Sequence, residues 1–595
     1  MTSEKRTRRR PRFIAAGLAP LALTGTLLLA SCAGAADAET SASTGDSTVT
    51  LEQAAAVAPG ASAAEVMADN EEAPTAIEGY DAASAISIDL ASPTAADGVT
   101  VSGDVVTITA AGTYLVSGST TGQLIVDAAD ADVTIVLDGV DIANADGAAI
   151  DIVAADEVQL VLAAGSENTL SDASGYADDV SANAALASAA DLVISGSGAL
   201  TVHGNGNDGI ASSDALTIAG GDLTVDAADD GIRGKDLVMI TGGTIDVTAG
   251  GDGIKADNAE EAERGYVAIA GGDVTVVSGG DGIDAATDAV IWGGTLDVTA
   301  GGGADATASD ETSMKGVKGD VYVVVDGGTI DVDAADDALH TDNTAHLASG
   351  DVTLASGDDG VHADVALTVS GGTVLVTRSY EALEAAAITI SGGDTEVSGS
   401  DDGVNVAGGA DAADGADGTG GGSPDAYAQS SSSSGRTLTI SGGTLVVHSD
   451  GDGIDVNGDA TVTGGEVVVD GPTEQMNGAL DVDGTFDVSG GTIVAAGSSG
   501  MLVAPGSDSA QASVAIVLDS TAAAGTTLQV VASDGTVVAT YETFKQVESI
   551  VVSSPDLVDG ETYTATADGS TVGSGVAGEQ VSGGMGGGGG QPPRG

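Results

Sequence analysis

Apolar and polar residues alternate along most of this chain in short runs that break at glycine, as in Leu216-Thr-Ile-Ala-Gly-Gly-Asp-Leu-Thr-Val225. The pattern returns at Val267–Val276, Val290–Val298, Val324–Val332, Leu367–Val376, Ile388–Val397, Leu438–Val447 and Ala460–Val469. Period-two alternation predicts β-strands with one set of side chains inward and the other outward. Paired glycines, such as Gly220/Gly221 and Gly242/Gly243, recur at a basic step of 21 or 22 residues and predict a cramped corner. A strand–corner–strand unit this short cannot close its own core, so copies must stack. The expected fold is therefore all-β: a right-handed, single-stranded parallel β-helix with coils of about 22 residues over 85–510. The nine-residue calcium-binding roll and the leucine-rich repeat do not fit the step or the signature, and a β-sandwich is the remaining alternative.

A second landmark, Asp-Gly-Ile, marks another corner: Asp208–Ile210, Asp230–Ile232, Asp252–Ile254, Asp281–Ile283 and Asp452–Ile454, with Val replacing Ile at Asp359–Val361 and Asp402–Val404. Variants occupy the same register at Asp337-Ala-Leu339 and Glu381-Ala-Leu383. If the Ile points inward, positions one and three beyond it share the outer face. The first column then reads Arg233, Lys255, Asp284, Lys318, His340, His362, Glu384, Asn405, Asp455. The second includes Lys235, Asp257, Asp320, Asp342, Asp364 and Asn457.

The composition sharpens the meaning of these columns. Aromatics make up 2 % of the chain, so the core must be filled by Val, Ile, Leu and Ala rather than by rings. Net charge is −74, with 16 basic and 90 acidic residues. Such a field excludes nucleic acid as a partner and attracts divalent cations. Carboxylates stacked at about 4.8 Å repel by roughly 1 kcal/mol per neighbour in water and about 4 kcal/mol at an intermediate dielectric. Hard oxygen ligands converging from adjacent coils suit Ca²⁺. The candidate metal ligands are Asp336, Asp337, Asp342, Asp358, Asp359, Asp364, Glu381, Glu384, Asp401, Asp402 and Asn405. For each Asp the competing role is turn capping through backbone N–H groups. Lys315, Lys318, His340, His362, Arg378 and Tyr380 are the candidate ligand contacts, and Trp292 a weaker one.

The ends carry different information. Lys5, Arg6, Arg8, Arg9, Arg10 and Arg12 precede an apolar stretch from Phe13 to Ala30, the layout of a secretory signal over 1–31. Leu29-Ala30-Ser31-Cys32 resembles a bacterial lipobox, which implies lipidation of Cys32, the only cysteine, and anchoring at the extracellular face of the membrane. Processing there removes six basic residues and one acid and leaves a charge of −79. Residues 32–84 are expected to be a flexible spacer, 408–435 a looped-out insertion, 511–572 a small β cap and 573–595 a Gly-rich disordered tail.

The ordered motifs Ser313-Met-Lys-Gly-Val-Lys-Gly319, Asp336-Asp-Ala-Leu-His-Thr-Asp342, Gly357–Asp364, Ser379-Tyr-Glu-Ala-Leu-Glu384 and Ser400–Asn405 resemble those of the bacterial carbohydrate-binding β-helix family. Gly112–Gly118 and Glu167–Asp172 resemble its first coils. The resemblance implies a pectate-lyase-like fold, bound calcium and affinity for cellulose-like or acidic polysaccharide. Ala338 and Ala382 depart from it, standing where Gly is usual. The expectation is a monomeric, non-catalytic, calcium-dependent polysaccharide-binding protein. A polyuronate lyase using Lys318, Arg233 or Lys255 beside calcium, or a structural adhesin, are the alternatives.

Overall fold

The computed structural model describes residues 59–176, 182–308, 312–407 and 435–579. Cys32, the signal-like segment and most of the 408–435 insertion lie outside the described residues. The chain forms a long, parallel-rich, β-helix-like stack, and each central coil contributes three strands to three laterally stacked faces. The first face is built from three-residue strands such as Ile232–Gly234 and Ile254–Ala256. The second contains Leu237–Ile240 and Tyr266–Ile269, and the third contains Thr244–Ala249 and Asp273–Ser278.

Each strand pairs in parallel with its counterpart one coil on. On the third face Asp222 pairs with Thr244, Thr244 with Asp273 and Asp273 with Thr295. The steps are 22, 29 and 22 residues, so the enlarged coil absorbs its extra length at a corner without disturbing register. Third-face strands alternate exposed and buried residues, and Leu223, Ile245, Val274 and Leu296 fill the interior. This is the aliphatic core that an aromatic-poor sequence requires.

The two kinds of glycine corner have different causes. Between the second and third faces the second Gly of each pair has a positive φ, 109° at Gly243, which other residues rarely adopt. At the Asp-Gly-Ile corner the need is space. A Cβ on Gly231 would lie 2.3 Å from Val247 Cγ1 and 2.6 Å from the Gly253 carbonyl oxygen. Ala338 and Ala382 nevertheless keep the corner ladder, donating from their amides to the carbonyls of Asp359 and Asp402 at 2.9 and 3.2 Å. Next to Ala338, the register position held elsewhere by β-branched Val is Leu354, which carries no methyl branch at Cβ.

The segment expected to be a spacer is structured from residue 59 onward. Helix α1, Ala63–Asp69, begins with a capping box in which Ser62 and Glu65 satisfy each other's backbone amides. Its Ala63 and Val66 pack on Val290, Tyr322 and Val324 of the second face. Beyond the helix, Asn70 donates to Asp288 (2.9 Å), Arg264 pairs with Glu71 (2.5 Å) and Gln159 donates to the Thr75 carbonyl (3.0 Å). Residues 61–77 thus form a strap across several coils. Trp292 packs beneath this strap beside Met67 and Ala73, rather than beneath the 301–310 insertion.

The stack is covered at its far end. Strand Val547–Ser553 pairs antiparallel with the last long strand, Phe486–Gly497, and with Ser513–Ala522. A four-stranded antiparallel sheet lies beyond it. Its last strand, Ser570–Val576, extends into the stretch expected to be tail.

Candidate functional site

The first face carries the chemistry because its short strands turn one side chain per coil away from the aliphatic core, in register, with His340, His362 and Asn405 buried among their neighbours. Arg233 pairs with Lys255, Lys255 with Asp284, Asp284 with Lys318, Lys318 with His340, and His340 with His362. The row continues through Glu384, Asn405, Asp455 and Asp481. The outward column read from the sequence is therefore a physical row.

The Asp column at the adjoining corner divides its two oxygens between two tasks. One oxygen caps the next coil: Oδ1 of Asp230, Asp252, Asp281, Asp337 and Asp402 accepts from the amides of Asp252, Asp281, Lys315, Asp359 and Asp452, at 2.6–2.9 Å. The other faces the row. Oδ2 of Asp337 accepts from His340 Nδ1 (2.8 Å) and Lys315 Nζ (3.1 Å), and Oδ2 of Asp359 from His362 Nδ1 (3.0 Å). Capping and ion pairing, which are alternatives in a sequence, here belong to one residue.

Lys315 stands in the Asp column itself and bridges Asp336 (3.0 Å) to Asp337. Lys318 lies between Asp284 (3.4 Å) and Asp320 (3.2 Å), and Lys255 between Asp252 and Asp284. Burial opposes the charge on all three lysines, but the surrounding carboxylates outweigh it and hold each ammonium above the usual lysine range. The two imidazoles are held between carboxylates in the same way. His340 contacts Asp337 through Nδ1 and Asp342 through Nε2 (3.2 Å); His362 contacts Asp359 and Glu384 (2.9 Å) through Nδ1 and Asp364 (3.2 Å) through Nε2. These contacts raise both histidines against the opposing effect of burial.

Where burial and neighbouring carboxylates outweigh the nearby cation, or no cation is near, the acids are raised. Burial, reinforced by neighbouring carboxylates, pushes Asp208 up to about 7 despite Arg233 at 3.7 Å, Asp358 to about 6 despite Lys315, and Asp402 to about 8. Glu381 is raised to about 7, chiefly by burial, although Asn405 Nδ2 donates to it at 2.6 Å.

Two expected contacts lie elsewhere. Arg378 ends a third-face strand and pairs with Asp305, away from the row. Tyr380 sits at the corner, 47 % exposed, where the Asp401 carboxylate and then burial raise its hydroxyl above the usual phenol range. Of the lysines proposed as ligand contacts from sequence, Lys318 stands in the row and Lys315 in the adjoining Asp column, and both are already engaged by acids.

The donor sets discriminate between possible calcium positions. Asp336, Asp337 and Asp358 converge, yet Lys315 already places a positive charge on two of them. Asp402, Asp452 and Asp455 also converge within 4.8 Å, offer only oxygen and have no ion-pair partner among the described residues. Burial first, then repulsion from neighbouring carboxylates, raises all three, to about 8, 6 and 7. That trio fits a hard cation. Asp452 and Asp455 were absent from the sequence-based ligand set, although both belonged to the columns that defined it.

A curated Acetivibrio thermocellus protein described as "Carbohydrate-binding domain-containing protein" is 49 % identical over 174 residues, covering 28 % of this chain. The match spans 61 % of that relative's length. A solved structure titled "Structure of the polysaccharide lyase-like protein from C. thermocellum, Gadolinium derivative" is 36 % identical, covering 42 % of this chain and 93 % of that one, with a TM-score of 0.33. Residues 102–360 match the family described as carbohydrate-binding domain-containing protein.

Proposed function

We propose that the first face binds polysaccharide without cleaving it, on an exported protein tethered through a lipid on Cys32. The observation that carries this reading is the registered row from Arg233 to Asp481, which presents ammonium, imidazole, carboxylate and amide groups at one per coil. A polyhydroxylated chain laid along the stack meets a hydrogen-bonding group at every step of about 4.8 Å. The family match over 102–360 supports the same ligand class. In this reading the coil is single-stranded and right-handed, the hand taken by about 98 % of parallel strand connections. With its far edge paired, the chain acts as a monomer.

Calcium belongs to this proposal at Asp402, Asp452 and Asp455, where it would neutralise a carboxylate cluster and offset the repulsion of an acidic glycan. β-Elimination would require a base that is free to accept a proton. Lys318, Lys255 and Arg233 are each held protonated by two acids or more, which favours binding over cleavage.

Retention of the full chain on insoluble cellulose and on polygalacturonate, with and without Ca²⁺, tests the reading. Retention on at least one glycan, weakened by Asp402→Asn or by chelation, is expected. No retention on any glycan in either condition would leave a structural spacer as the better description. Calcium-dependent release of unsaturated product would replace binding with lyase chemistry.

A further inference from the structure

The two histidine coils look alike in sequence, but their surroundings differ in one respect. On the His340 coil, Asp337 Oδ2 is shared between the imidazole and Lys315. On the His362 coil no lysine is present, and a second carboxylate, Glu384, takes that place. His362 Nδ1 lies 3.0 Å from Asp359 Oδ2 and 2.9 Å from Glu384 Oε2. The two carboxylates are also within hydrogen-bonding reach of each other. Asp359 is 6 % exposed and the Glu384 side chain 20 %. Two acids facing each other beside one imidazole bring three donor atoms within 4.8 Å of one another.

We infer that Asp359, His362 and Glu384 form a binding site for a borderline divalent transition ion such as zinc. Three features of the geometry support this assignment. First, one ring nitrogen and two carboxylate oxygens are a donor set that zinc accepts, whereas calcium prefers oxygen alone. Second, bonds of about 2.0–2.2 Å in a tetrahedral site separate donor atoms by roughly 3.4 Å. The present edges of 2.9 and 3.0 Å need to open by only a few tenths of an ångström when a metal replaces the proton. Third, His362 Nε2 is already bonded to Asp364 at 3.2 Å, which fixes the ring and leaves Nδ1 as the ligand. A carboxylate behind a histidine is the usual second support of a metal-bound imidazole. Three protein ligands leave the fourth position open to water or to an oxygen of a bound molecule.

The site is separate from the oxygen-only trio at Asp402, so the two ions are sorted by donor chemistry and neither assignment depends on the other. The test uses the full chain, stripped of metal and titrated with Co²⁺ in excess Ca²⁺. One equivalent should bind and give the visible d–d absorption of a low-coordinate cobalt site. That band should vanish in His362→Gln and Glu384→Gln and persist in Asp402→Asn. If His362→Gln fails to fold, Asp364→Asn keeps all three ligands and should lower affinity by about 10–100-fold. Absence of the band, its survival in His362→Gln, unchanged affinity in Asp364→Asn, or its loss to Ca²⁺ would each overturn the assignment.

Discussion

The imidazoles of His340 and His362 stack across adjacent coils with centroids 4.9 Å apart and planes 12° from parallel. Two cationic rings at this spacing would repel, yet each is bracketed by carboxylates at both nitrogens. The stack is held by the acids around it. Replacing His340 by Gln leaves buried Asp337 with Lys315 and the more distant His362 as its cations, and should cost about 3 kcal/mol in unfolding free energy, the lower end for a broken buried pair. Asp342 is 59 % exposed, so Asp342→Asn should cost less than about 1 kcal/mol. Urea unfolding monitored by circular dichroism compares the two, and equal losses would contradict this ordering.

Asp208 gives a pH dependence whose sign follows from burial. Its carboxyl ionises near 7 in the folded protein because burial and then Asp230 oppose the charge, against about 4 in an unfolded chain. A raised carboxyl favours the folded state fully below pH 4, and that contribution is lost as pH climbs towards 7. Asp208→Asn should therefore melt higher than the parent at pH 8 by an order-of-magnitude 2–4 kcal/mol equivalent, and near pH 4 the two should converge. Melting curves across this range decide it.

Gly231 illustrates the steric corner. Gly231→Ala places a methyl against Val247 and the Gly253 carbonyl and should destabilise by about 1–3 kcal/mol. The reverse change at the equivalent position, Ala338→Gly, should cost less than about 1 kcal/mol. Thermal melts of the two variants measure the asymmetry.

Trp292, the sole tryptophan, reports on the strap. Val66→Asp puts a charge into the contact between α1 and the second face. It should red-shift the Trp292 emission and open residues 59–77 to protease, while the melting temperature of the β stack changes by no more than a few degrees. An unshifted spectrum would mean that the strap stays docked without Val66.

Repeat spacing made the outer row legible, because a parallel stack turns a step of 22 residues into a register and leaves little freedom about which residues adjoin. The pairing of Lys318 with His340 and of Glu384 with Asn405 follows from that alone. Other features depended on what the side chains meet. Lys315 and Lys318 are candidate ligand contacts in the sequence but are engaged by acids of their own and neighbouring coils. Arg378 is near in sequence to the row and turns to Asp305. The strap was hidden because seven residues of helix in an Ala-rich stretch have the composition of a linker. Its capping box, Ser62 to Glu65, was the available signal, and its stability comes from distant partners such as Val290 and Asp288.

The fifty-residue step that carries Asp394 to Thr444 leaves Asn405 directly beside Asp455. Length added at a corner is thus mechanically silent on the faces. Such a scaffold separates two kinds of change: corners can gain or shed whole segments, while the face is rewritten one rung at a time, each substitution landing beside known neighbours. The coils between Asp281 and Asp402, where Lys, His and Glu interrupt the plain Asp-Gly-Ile rule, form a short text edited within a fixed line spacing.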